Sequence, residues 1–151
     1  PSPPPIGPAE YRRRLATAQA LMRRHAIAAV LIESGTSLAY FTGVRWGRSE
    51  RPTVALLPVE GEPCIVTPFF EEPSIRESLA IPAEVRVWQE DQSPFAVMAG
   101  FLKDRRIAQG PIAAEETVRF FIHDGLARAL GVPMLSANPV VRACRMFKSD
   151  A

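Results

Sequence analysis

Ala28-Ala29-Val30-Leu31-Ile32, followed by Glu33-Ser34-Gly35, decides the fold. Five consecutive apolar residues without polar alternation suit a strand covered on both faces, and Glu-Ser-Gly after them reads as a turn. Such a strand needs a layer of structure above it and another below. The sequence just upstream supplies a helix. Pro8 suits a first helical position, where its missing N–H costs nothing. Tyr11, Leu15, Ala18, Met22 and His25 then recur at helical spacing and mark one amphipathic face.

Downstream, Ser37 to Gly43 makes about one helical turn, stopped by Gly43, and Val44 to Pro52 is a loop. Thr53–Leu57 and Pro63–Thr67 read as two strands of an antiparallel hairpin through Pro58-Val59-Glu60-Gly61-Glu62. A helix over Glu71–Leu79 and a strand over Val85–Trp88 follow. Ser93 caps a helix that has Pro94 first and runs to about Arg105. Ile112–Ala114 is a short strand. The spacing then predicts a helix capped by Thr117, with Val118, Phe121, Ile122, Leu126 and Leu130 inward and Gly131 ending it. Val132–Ser136 is a last strand, and Asn138-Pro139 starts a terminal helix. The expected fold is a three-layer α/β domain: a mixed, mostly parallel sheet with one antiparallel pair, flanked by helices. No internal repeat occurs.

Composition narrows the function classes. The chain has 151 residues, 47% of them hydrophobic, which is one domain's worth with enough apolar surface for a core. No apolar run reaches the roughly 18 residues of a spanning helix, so no membrane partner is expected. No basic start followed by an apolar stretch marks a secretory signal. The five prolines of Pro1 to Pro8 read as an extended arm, and equally as what remains after an export signal is removed. Compartment therefore stays open, cytoplasmic by default. Net charge is +2, carried by Arg far more than Lys. The Arg residues are spread along the chain beside Glu and read as a solvated surface, so no nucleic-acid partner is expected. Cys64 and Cys144 lack CxxC spacing, and Cys64 reads as a small buried hydrophobe.

No catalytic constellation emerges. His25 sits near a helix end, and His123-Asp124 are sequence neighbours on a helix, which do not face each other. No HExxH, GxSxG, Walker or GxGxxG pattern occurs. Glu33, Glu90 and Glu115 follow strands, which leaves open a magnesium site of nuclease type. The most informative stretch is Tyr40-Phe41-Thr42-Gly43-Val44-Arg45-Trp46-Gly47-Arg48-Ser49-Glu50-Arg51. Tyr40 and Phe41 read as core. Trp46 offers an apolar wall, and Arg45, Arg48 and Arg51 offer donor forks for carboxylates. These four are the candidate contacts to a substrate pocket or partner.

Ser37-Leu38-Ala39-Tyr40-Phe41-Thr42-Gly43-Val44 resembles the N-x-x-Y-x-T-G-F segment of the creatinase/prolidase N-terminal domain, with Ser37 where Asn is common and Val44 where Phe is common. The opening helix, the strand at Ala28–Ile32, the hairpin at Thr53–Thr67 and the strand at Val85–Trp88 fit the same family. Pro139 to Ser149 resembles its connector, L-x-x-x-R-x-x-K-S/D-x-x-E. The likeness implies a ribonuclease H-like architecture with an arm over 1–8, the domain over 9–140 and the start of a connector over 141–151. It implies a following catalytic domain that binds two divalent ions (manganese, cobalt or zinc) through two Asp, one His and two Glu. The chain stops at Ala151, before any such ligands, so no cofactor is expected within it.

The resemblance thus implies the non-catalytic part of a metallopeptidase, either an Xaa-Pro dipeptidase or an aminopeptidase P. It would be inactive alone and would partner its own C-terminal catalytic domain. The full-length protein would be a homodimer acting on proline-containing peptides. In the family, loops of this domain help to form dimers and to gate the substrate pocket, which points to Arg45–Arg51. A creatinase-type amidinohydrolase parent and a stand-alone protein-interaction module are the alternatives.

Overall fold

A computed structural model describes residues 6–146. Helix α1 spans Pro8–Arg24, with Pro8 in its first turn and Ala18 and Met22 on its buried side. Strand β1 is Ala29–Glu33, buried along its whole length. Helix α2, Thr36–Thr42, ends at Gly43 in a left-handed conformation. The hairpin strands are β2, Val54–Pro58, and β3, Cys64–Pro68. A 3-10 turn at Phe69–Glu71 leads into α3, Glu72–Ser78. Strand β4 is Glu84–Trp88. Helix α4, Pro94–Asp104, is capped by the Ser93 hydroxyl, which accepts from the Ala96 N–H at 3.3 Å. Then come β5, Ile112–Ala114, α5, Phe120–Leu130, β6, Met134–Ser136, and α6, Asn138–Met146.

The sheet has the order β4-β3-β2-β1-β5-β6. β2 runs against both of its neighbours, while the β3–β4, β1–β5 and β5–β6 pairs are parallel. Two antiparallel pairings therefore replace the single one expected from the hairpin. Strand β2 enters beside β1 after a long loop, a pairing that local turn chemistry does not encode.

The two-residue period of the strands divides the core. Val30, Ile32, Ala55, Leu57, Ile65 and Ala113 face a layer built from α1, α2, α3 and α6. Leu31, Val54, Leu56, Cys64, Val66 and Ile112 face α4 and α5. Among the described residues, no helix is long and apolar enough to cross a membrane. Helix α6 buries Val140, Val141 and Cys144. Residues 1–5 of the proline-rich arm and 147–151 of the expected connector lie outside the described residues.

Three local readings are corrected. Glu33 is the last residue of β1 rather than part of the turn. Helix α5 begins at Phe120, not after a Thr117 cap. The Thr117 hydroxyl donates to Glu115 Oε1 at 2.9 Å instead, and Val118 is buried ahead of the helix. With that later start Ile122 and Leu126 hold the buried face, while Phe121 turns outward and is 44% exposed.

Candidate functional site

Every strand but β2 ends at the same edge of the domain, and the loop from Val44 to Thr53 enters β2 from that edge. The neighbouring parallel strands β1 and β5 send their following helices, α2 and α5, to opposite faces. Crevices open where chains diverge in this way. Here a cavity of about 310 Å³ is lined by Glu33, Ser34, Ser37, Trp46, Arg48, Glu115, Thr117 and Arg145, among others. A second hollow of about 340 Å³ lies against Ser49, Arg51, Thr53, Pro68 and Phe70, and Trp46 lines both.

The loop is pinned at its ends. The Val44 N–H donates to Thr42 Oγ1 at 3.2 Å, and Val44 is buried. The Thr53 carbonyl accepts from the Ser34 N–H at 3.1 Å and the Ser34 hydroxyl at 2.9 Å. Between these anchors Arg45 is exposed and lines neither cavity. Trp46 is half-buried against the α1–α2–α6 layer and stands as a wall between the two hollows. Arg48 donates to the Thr117 carbonyl, and its Nε lies 3.7 Å from Glu33 Oε2. Arg51 Nη2 donates to Glu90 Oε2 at 3.0 Å, with its guanidinium over the Phe70 ring at 5.6 Å. Trp46 therefore shares one cavity with Arg48 and the other with Arg51, while Arg45 stands apart.

Sequence reasoning named Glu33 only as a possible magnesium ligand and missed its pairing with Arg119. The Glu33 side chain is 1% exposed. It accepts from the Arg119 backbone N–H at 2.9 Å and from Arg119 Nε at 2.6 Å. Arg119 Nη2 lies 2.6 Å from the same carboxylate and also donates to the Ser49 carbonyl at 2.8 Å. The available signal was a carboxylate ending a wholly apolar run, since a buried charge requires a partner. Nothing local marked Arg119. Glu115 accepts from the Ser37 and Thr117 hydroxyls, and Arg145 Nη1 reaches Ser37 Oγ at 3.4 Å.

The carboxylates at the strand ends are thus occupied by hydrogen bonds and ion pairs within the chain, not arrayed around a shared point. Among the described residues, no three His, Cys, Asp or Glu side chains come together as a metal site. His123 stacks edge-on against Phe120, and Asp124 pairs with Arg128 at 2.9 Å, so the two neighbours serve different contacts. Burial pushes the Cys64 thiol up to about 12 and the Cys144 thiol up to about 11, so neither is a thiolate near neutrality. Burial also raises Tyr40, whose hydroxyl donates to the Cys144 carbonyl at 3.1 Å while Arg14 covers its ring. The edge carries a half-buried Trp46 on a loop held at both ends, beside carboxylates paired within the chain.

Comparison with known proteins agrees with this architecture. A family model described as Creatinase/Prolidase N-terminal domain matches residues 14–147. A "Probable dipeptidase PepE" of Mycobacterium tuberculosis is 31% identical over 142 residues, which are 93% of this chain and 37% of that protein. The crystal structure of dipeptidase PepE from Mycobacterium ulcerans superposes with a TM-score of 0.82 at 32% identity, over 97% of this chain and 39% of that one. The N-terminal domain of an Xaa-Pro dipeptidase from Lactobacillus brevis shares the fold, with a TM-score of 0.77 at 19% identity. That match covers 89% of this chain and 99% of the other. The chain thus spans a little over a third of the length of the dipeptidases it matches.

Proposed function

The chain belongs to the creatinase/prolidase N-terminal domain family, and from that premise we propose that it is the non-catalytic domain of an Xaa-Pro dipeptidase- or aminopeptidase-type metallopeptidase. In this proposal residues 9–140 form the domain and 141–151 begin the connector to a catalytic domain. Loop 45–51 contributes to a homodimer and gates the pocket for a proline-containing peptide. The observation that carries the proposal is the asymmetry of the match: 93% of this chain against 37% of a probable dipeptidase.

The proposed division of labour is physical. Two divalent ions would activate water and polarise the scissile carbonyl from the catalytic domain. This chain's own groups do not fit such a pair, because its strand-end carboxylates are taken by Arg119, Arg51, Ser37 and Thr117. Its contribution would be shape and exclusion of water. Trp46 supplies an apolar wall of the kind that suits a proline ring, and Arg45 supplies an exposed guanidinium for a peptide carboxylate. Arg48 and Arg51 brace the wall.

Steady-state kinetics on the full-length polypeptide test this. Replacing Trp46 by Ala should raise KM for an Xaa-Pro dipeptide by about tenfold with kcat little changed, the signature of lost uniform binding. An unchanged KM and kcat would remove the loop from the substrate pocket.

A further inference from the structure

We propose that Glu33, acting through Arg119, is the positioning residue that sets the geometry of loop 45–51 and so the placement of Trp46. The inference rests on reading that loop as the substrate-pocket element, and it names what fixes it.

The loop has no secondary structure of its own between Gly43 and Val54. Its ends are pinned by Thr42 and Ser34, but its middle reaches the domain through few groups. The Ser49 carbonyl is held by Arg119 Nη2 at 2.8 Å. The Arg48 side chain is held by the Thr117 carbonyl and lies near Glu33. Arg51 closes the far side on Glu90, in an exposed pair that solvent screens.

Both inner braces converge on one carboxylate. Glu33 sits at the end of the central strand β1 and is fixed there by the ladder to β2. It binds the backbone N–H and the guanidinium of Arg119 together. A buried carboxylate held by a planar donor fork permits little latitude in where that fork lies. The Nη2 that faces Glu33 also donates to the Ser49 carbonyl. Removing the charge at Glu33 frees the Arg119 guanidinium, which is only partly buried, to turn toward solvent and release the loop. The fold-bearing contacts of the two core layers do not pass through Arg119.

Two single-tryptophan forms of the 151-residue chain separate a positioning role from a general structural one. Trp88→Phe leaves Trp46 as reporter, and Trp46→Phe leaves Trp88, which is 6% exposed and packed against α4. Glu33→Gln should raise the acrylamide quenching constant of Trp46 by about two- to threefold and leave that of Trp88 unchanged, because local release needs no global opening. Unchanged Trp46 quenching in a folded Glu33→Gln protein overturns the proposal. So does an equal rise at both tryptophans, which would mark general loosening. If Glu33→Gln does not fold, Arg119→Met serves: it keeps the aliphatic stem but removes the donors that reach Glu33 and Ser49. It carries the same expectation and the same overturning result. Quenching is read without substrate. A released loop with unchanged KM would therefore sink the gating reading and leave this one standing.

Discussion

Replacing Gly43 by Ala should cost this domain far more than the same change at the other helix-ending glycine, Gly131. Gly43 closes α2 with φ at +83°, and its N–H donates to the Ala39 carbonyl at 2.9 Å. A Cβ added there would lie 2.6 Å from Ala80 Cβ and 3.2 Å from Ala80 N. Ala80 cannot easily retreat, because its N–H donates to the Thr42 carbonyl at 2.8 Å. The left-handed backbone costs an L-residue about 1–2 kcal/mol. Overpacking against Ala80 adds about 1–3 kcal/mol. A loss near 3 kcal/mol lowers the melting temperature of a domain this size by roughly 6–12 °C. Gly131 has φ at +71° but open space around it, so Gly131→Ala should lose only the backbone share, about 1–2 kcal/mol. Urea and thermal melts of both variants read the difference. Adding Ala80→Gly to Gly43→Ala should recover part of the loss, since the Cβ contact disappears while the backbone strain stays. Equal losses at Gly43 and Gly131, or no recovery in the double variant, would refute the close-approach explanation.

Further outcomes follow from packing and burial. Gly125 lies on α5 where a Cβ would meet the Phe95 ring at 2.5 Å, so Gly125→Ala should destabilise the wild-type chain but stabilise a Phe95→Ala background, where helix propensity favours alanine by about 1 kcal/mol. A double-mutant cycle of urea melts measures this. The Cys64 thiol is raised by burial to about 12 from an ordinary 9.0, so the fold favours its neutral form; that stability is whole below pH 9.0 and lost as pH rises toward 12. Melts above pH 9 should show stability falling by up to about 1.4 kcal/mol per pH unit from this thiol, a slope that Cys64→Ala removes.

Much of the fold was legible because its signals are local. The unbroken Ala28–Ile32 run has the pattern of a strand covered twice, and Ala29–Ile32 lie buried between two helical layers. Pro94 after Ser93 and Gly43 after Thr42 marked helix ends that the structure keeps. What escaped was long-range. β2 pairs with β1 as well as β3, a choice made by the sheet and not by the hairpin. The start of α5 moved because Arg119 is extended, and its N–H meets Glu33, 86 residues away. The same distance hid the fate of the loop's arginines. Read alone, Arg48 and Arg51 are free forks beside a tryptophan. Folded, Arg48 meets the Thr117 carbonyl and lies near Glu33, and Arg51 pairs with Glu90.

Hydrolysis of an Xaa-Pro dipeptide by the purified 151-residue chain, with and without added manganese, bears most directly on whether this polypeptide is a scaffold for chemistry carried elsewhere. The folded chain should release no proline above the blank under either condition. Turnover that tracks the protein through a second purification, and rises with manganese, would contradict it.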